Sequence, residues 1–179
     1  DGSEQGHQGI VTVMRKAVAL VLVAGLLGTG SIFHFARAKP VGIFGIWSAY
    51  ALNEKSGKLC YLSAVPGTAS GKYAKRGDIF IQITHRPPRT RNEVSVIAGY
   101  TYKADSDVEV EIDGKKFELF TSRDTAWSRN AKGEAALVRA MRAGSTMIVR
   151  GTSSRGTRTT DTYSLAGFTK AHNSITKAC

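Results

Sequence analysis

Apolar residues alternate with polar ones in short runs along most of this chain. Ile79, Ile81 and Ile83 share one face of Asp78–Thr84, and Val94, Val96 and Ala98 share one face of Glu93–Tyr100. A period of two places every second side chain on the same side of a strand, so each run reads as a strand with one buried face. Ile43–Ala51 and Leu59–Val65 have the same character and flank turn material at Asn53–Lys58. The clearest local signal is Asp113-Gly114, set between VEVEI and KKFELF. A two-residue hairpin turn needs positive φ at both positions, and Asp-Gly supplies it. Ser145–Gly151 and Thr160–Ser164 complete a count of about eight strands.

The period changes twice. In Ala131–Ala143 the apolar positions Leu137, Val138 and Met141 form a helical stripe, and Gly144 follows as a stop. A final helix is expected near the C-terminal end, capped by Ser164, with Leu165, Phe168, Ala171 or His172, and Ile175 on one face. Segments 66–77, His85–Asn92, Ser122–Asn130 and Thr152–Thr160 read as loops. Strands cluster along the sequence and do not alternate with helices. The expected fold is therefore mainly β: an antiparallel β-sandwich or barrel-like domain with one short internal helix and a C-terminal helix.

The first 38 residues break this pattern. Arg15 and Lys16 precede the apolar run Ala17–Leu27, and Ala36-Arg37-Ala38 follows. Positive charge, an apolar stretch and small residues at a cleavage site make a secretory signal peptide. Residues 1–13 are read as upstream sequence, 14–38 as the signal with cleavage after Ala38, and 39–179 as the domain. A retained membrane anchor is the alternative, weakened by Gly25, Gly28, Gly30, His34 and Arg37. Export predicts a periplasmic, outer-membrane or surface location, with membrane contact only through the signal or peripherally.

Export gives meaning to the charge and the cysteines. The formal net charge is +11, nearly all of it in 39–179. Such a field favours polyanionic partners; in the envelope these are lipopolysaccharide, anionic lipid or acidic glycans, and nucleic acid does not suit the compartment. The cations concentrate in two loops, with Arg86, Arg89 and Arg91 in one and Arg150, Arg155 and Arg158 around the other. Arginine suits two-point contacts to phosphate, sulfate or carboxylate, so these six are the candidate anion-binding residues. Two solvated loops are the plainer reading. The two cysteines, Cys60 and Cys179, favour a disulfide in an oxidising compartment. An intermolecular bond and two free thiols are the other possibilities.

Signals for chemistry are sparse. Residues 39–179 hold only two histidines, His85 and His172, and no Gly-x-Ser-x-Gly elbow. Neither the cysteines nor the histidines have zinc spacing. Asp105, Asp107, Glu109, Glu111 and Asp113 read as the solvated side of a strand. Gly67–Lys72 is one residue short of a phosphate loop and is followed by Tyr73. Arg76-Gly77-Asp78 matches an adhesion tripeptide but runs toward a strand. Tyr100, Tyr102, Trp127 and Tyr163 could form an aromatic face, although core packing suits Trp127 better. No catalytic or metal-ligating residue and no cofactor are expected.

Several stretches together resemble one family: WSAY and KLCYL, NEVSVIAGY, DGKKFELF with Ala126-Trp127 downstream, GEAALVRAMRAGSTMIVRGTS, and RGTRTTDTYSLAGFTKA. They span the domain in order and resemble the invasion-associated locus B proteins exported by alphaproteobacteria. The resemblance implies a signal peptide, a β-sandwich-like envelope domain without enzymatic activity, and a link to host-cell invasion, with erythrocytes the target for some members. It also implies an unidentified envelope or host-surface partner. Many members carry a further cysteine shortly after the tryptophan of the first strand; here Tyr50 and Ala51 stand in that region. By that comparison Cys179 is the partner left for Cys60.

Overall fold

The computed structural model describes residues 38–179. The upstream segment and all of the expected signal except Ala38 lie outside the described residues. In chain order the elements are β1 (Lys39–Phe44), β2 (Trp47–Glu54), β3 (Gly57–Ala64), β4 (Thr68–Gly71), β5 (Phe80–Arg86), β6 (Thr90–Ile97), β7 (Asp107–Ile112), β8 (Lys115–Ser122), β9 (Thr125–Trp127), α1 (Ala131–Ala143), β10 (Thr146–Thr152), β11 (Arg158–Ser164) and α2 (Phe168–Ala178). The strands form one sheet in the order β1-β2-β3-β5-β6-β9-β8-β7-β10-β11-β4. Every pairing is antiparallel, and the sheet stays open, with β1 and β4 at its edges.

A single buried cluster draws residues from both halves of this sheet, including Trp47 and Leu62 on one side and Val110 and Val149 on the other. The sheet therefore curls around its core in the manner of a sandwich. Trp47 in β2 donates its Nε1–H to the Ser164 carbonyl at the end of β11, 3.0 Å away, which ties together strands far apart in sheet order. Its ring meets Phe168 of α2 edge-on, with centroids 4.8 Å apart. Burial of side chains this large contributes roughly 1.5–3 kcal/mol each.

The mainly β, antiparallel expectation holds, and α1 spans the predicted residues. Asn130 caps it by accepting from the Gly133 amide at 2.9 Å, and Leu137, Val138 and Met141 are its buried face. The structure differs from expectation at six places. The predicted strand Ile43–Ala51 is two strands, divided by a turn at Gly45-Ile46 that leaves Phe44 opposite Trp47. Gly45 has φ 66°, and a Cβ there would lie 2.8 Å from the Ala166 carbonyl oxygen. Segment 66–77 contains β4, whose four residues are all exposed; it is held by backbone pairing to β11, so hydrophobic pattern is silent about it. The strand predicted from Asp78 starts at Phe80, and Trp127 lies in β9, half-buried, and not in a loop. His85 belongs to β5, where the inward alternation Ile81, Ile83 continues to a histidine only 1% exposed.

The sixth difference is the cap of α2. Ser164 ends β11, and the helix begins after Gly167, which has φ 87° and no side-chain cap bond. Only glycine fits there, because a Cβ would run into the Phe44 carbonyl. The expected apolar face of α2 is present, with Phe168, Ala171, His172 and Ile175 all buried.

Candidate functional site

The six candidate arginines fall in three settings. Arg86, Arg89 and Arg91 occupy the β5–β6 hairpin. Arg86 lies 3.6 Å from Glu54, and Arg91 donates to the Cys179 carbonyl at 3.5 Å. Arg150 points from β10 toward β7, where one nitrogen bonds Glu109 at 2.8 Å and Glu111 at 2.7 Å. These bonds, to Glu111 first, hold its guanidinium pKa above the ordinary value against the opposing effect of burial. The carboxyl of Glu109 is held below its ordinary range by Lys116 first, against desolvation, with Arg150 adding to the fall. The alternating acids of β7 thus balance neighbouring cations on the outer face of the sheet. Arg150 shares a shallow depression of about 350 Å³ with Arg158, and Arg155 opens instead onto a separate groove.

That groove has a volume of about 670 Å³, and three irregular segments build it. The first runs from Lys72 to Gly77, the second from Gly99 to Thr101, and the third covers the turn between β10 and β11. Tight backbone bonds lock them together. The Gly77 amide donates to the Gly99 carbonyl at 2.8 Å, and the Ser154 amide to the Thr101 carbonyl at 2.8 Å. Gly99 has φ 70°, and a Cβ on it would sit 2.5 Å from the Gly77 oxygen. The walls carry Lys72, Lys75 and Arg155, the hydroxyls of Thr101, Ser154 and Thr157, and the rings of Tyr73 and Tyr100; no carboxylate lines them. Lys72, Lys75 and Arg155 take part in none of the ion pairs among the described residues.

Beside the groove lies a buried ion pair. Arg76 meets Asp161 of β11 through two parallel bonds, both 2.6 Å, and its Nε donates to the Ala98 carbonyl at 2.6 Å. The side chains are 4% and 3% exposed. Burial opposes the Arg76 charge, but the bonds and charge of Asp161 outweigh it and hold the guanidinium pKa above normal. The same guanidinium lies 4.9 Å from the Tyr100 ring centre and 5.5 Å from that of Tyr73. The Tyr100 hydroxyl is in turn 2.7 Å from Thr159 Oγ1. Arg76 is also the arginine of the Arg-Gly-Asp match, so that side chain is committed inside the fold.

The two histidines form the other polar centre, one on α2 and the other beneath it. Their ring centroids are 5.3 Å apart. Arg142 donates to His172 Nδ1 at 3.1 Å, so the proton of His172 is on Nε2, which donates to Asn92 Oδ1 at 2.7 Å. The Asn92 amide donates to His85 Nδ1 at 3.1 Å. Nε2 of His85 therefore carries its proton and faces Thr176 Oγ1 at 3.2 Å. Burial, offset in part by Thr84, lowers the His85 pKa, with Arg91 adding to the fall. Burial, then His85 and Arg142, bring His172 down to about 4. Both rings are neutral at pH 7, and every ring nitrogen is engaged. Among the described residues no cluster of histidine, cysteine and acidic side chains is arranged to hold a metal.

The disulfide lies next to this centre. Cys60 and Cys179 are bonded, with Cα atoms 6.0 Å apart and 119 positions of chain between them. Cys60 on β3 pairs across the sheet with His85 on β5, so the bond fastens the end of α2 over the histidines. Of the aromatic candidates, Tyr102 and Tyr163 are buried, and Tyr100 alone reaches the groove. The sequence reading set Lys72 and Tyr73 aside with the phosphate-loop match and passed over Lys75; the basic run Lys72-Tyr73-Ala74-Lys75-Arg76 was the visible signal that joins them.

Comparison with known proteins bears on the whole domain. The family model of the invasion associated locus B (IalB) protein matches residues 47–176. No curated protein matched the chain by sequence. A solved structure, that of invasion associated protein B from Bartonella henselae, resembles this one with a TM-score of 0.51 at 14% identity. The likeness covers 76% of this chain and 96% of that one. At that identity the resemblance is one of fold. The family match, which takes in β2 through nearly all of α2, shows that the chain belongs to the invasion associated locus B family.

Proposed function

We propose that the protein is an exported component of the cell envelope that acts by binding, without catalysis, and contributes to the invasion of host cells. The family match over residues 47–176 carries this reading. The histidine centre supports it, because both rings of the described domain are neutral and hydrogen-bonded on each nitrogen. A general base needs a free nitrogen within reach of its substrate. Deletion of the gene tests the role: invasion of cultured host cells falls and returns when the gene is restored, and unchanged invasion overturns it. Protease treatment of intact cells tests the location, since loss of the protein marks surface display and protection marks the periplasm.

A second reading is a periplasmic module for an anionic ligand of the envelope. Three cations around one groove that take part in none of the ion pairs among the described residues favour it. Retention on immobilised lipopolysaccharide that disappears with salt is the expected behaviour.

A further inference from the structure

We propose that the groove beside Arg76 binds an acidic saccharide, with the Tyr73 and Tyr100 rings against the sugar and Lys72, Lys75 and Arg155 against its sulfate or phosphate groups. The proposal rests on the binding-protein reading above and gives it a site and a ligand class. Size is the first observation. About 670 Å³ is within the range of specific ligand sites.

Charge is the second. The walls hold three exposed cations and no acid. Elsewhere Arg86 pairs with Glu54 and Arg150 with Glu109 and Glu111, while Arg89, Arg91 and Arg158 also lie outside the ion pairs among the described residues; what sets Lys72, Lys75 and Arg155 apart is that they share one groove. An unmatched set of like charges converging on one concavity lacks only its counter-ions.

The third observation concerns shape and chemistry. Tyr73 is 37% exposed, and a tyrosine ring offers a flat apolar face with a polar tip. Such a face suits the C–H surface of a sugar ring, and the hydroxyls of Thr101, Ser154 and Thr157 suit its OH groups. Arg76 is not a ligand contact, because its side chain is 4% exposed and each of its three nitrogens already bonds Asp161 or the Ala98 carbonyl. It is a positioning residue, holding the loop and facing both rings from inside.

The test uses the full chain and three defined probes in calorimetry: a heparin hexasaccharide, a bisphosphorylated glucosamine disaccharide and neutral cellohexaose. Either acidic probe binds and the neutral one does not; a sulfated preference indicates a host-type glycan, and a phosphorylated preference a lipid headgroup sugar. The triple variant Lys72→Gln, Lys75→Gln, Arg155→Gln weakens binding about tenfold or more and flattens its salt dependence. Tyr73→Leu weakens it several-fold at unchanged net charge. Arg86→Gln, Arg89→Gln, Arg91→Gln removes as many charges from the other hairpin and stays within about twofold. Equal loss in both triple variants overturns the proposal, as does failure of both acidic probes or tighter binding of an oligothymidine of equal charge. Saccharide binding in a protein whose deletion leaves invasion unchanged supports the site and sinks only the invasion role. An invasion defect with no saccharide binding does the reverse.

Discussion

Two polar centres are buried in this domain, and they solve the problem of burial differently. Arg76 and Asp161 keep full charges inside the protein; His85 and His172 are buried as neutral rings. A buried charge needs a partner and complete hydrogen bonding, because desolvation otherwise costs several kcal/mol. Asp161 supplies both by engaging the arginine fork at two points. A histidine avoids that cost by releasing its proton. The settings differ to match. The ion pair anchors Lys72–Gly77, a stretch with little regular backbone bonding of its own, to β11 and Ala98. One histidine is on, and the other beneath, a regular helix that apolar contacts and a disulfide already hold. A strong directional tie is found where the backbone is irregular and a ligand groove is open. A neutral network suffices where packing is regular.

The largest effect is expected from breaking the ion pair on one side. Asp161→Ala strands a buried guanidinium and lowers unfolding stability by about 3–5 kcal/mol, measured by chemical denaturation. Replacing both partners, as Arg76→Met with Asp161→Leu, recovers most of that loss. A cost under about 1 kcal/mol for Asp161→Ala would show that the pair is no anchor.

Loss of the disulfide comes next. Replacing Cys60 and Cys179 with alanine lowers stability by about 2–4 kcal/mol, read from the same denaturation curves. Mass spectrometry of the unreduced protein checks the bond itself, and free thiols at both positions would remove it from the account.

The histidine centre answers to pH. A base whose folded pKa is lowered takes up more protons when unfolded, so stability rises with pH between the folded and unfolded values. Stability is expected to be complete above about 6.5, to decline as pH falls, and to have lost the His172 contribution below about 4. The groups facing His172 are His85, Arg142, Asn92 and Phe168. His172→Gln flattens the decline in thermal melts taken across this range, and an equally steep decline in the variant refutes the assignment.

The smallest effect sharpens the rule that links the two centres. Tyr163 is fully buried, and its hydroxyl has no hydrogen-bond partner among the described residues. Tyr163→Phe is expected to be neutral or to stabilise by up to about 1 kcal/mol in denaturant titration. A clear loss would show that this hydroxyl is satisfied after all.

What the sequence disclosed follows the range of the forces involved. The Asp113-Gly114 turn and the bounds of α1 were legible because local backbone preference decides them; both turn residues do have positive φ. The disulfide was legible through compartment and count. β4 was not, because Thr68–Gly71 earns its pairing from the backbone of β11 and no side-chain periodicity marks it. The break at Gly45 depends on the approach of Ala166, more than a hundred residues later. The same limit applies to the groove. Composition counts cations but not their partners, so Arg150 and Lys75 look alike in the sequence although only Arg150 is matched by acids. Asp161 lies 85 positions from Arg76, and nothing local links them.

The bond between Cys60 and Cys179 also changes what a protease can reveal. From β3 to the end of α2 the chain is a covalent ring. A single cut inside that ring opens it without releasing either piece, and the nicked protein keeps its mass until the sulfurs are reduced. A cut in the stretch before Cys60 sheds a fragment at once. Surface digestion read without reductant therefore reports the N-terminal strands of the domain and overlooks single cuts in the loops around the groove.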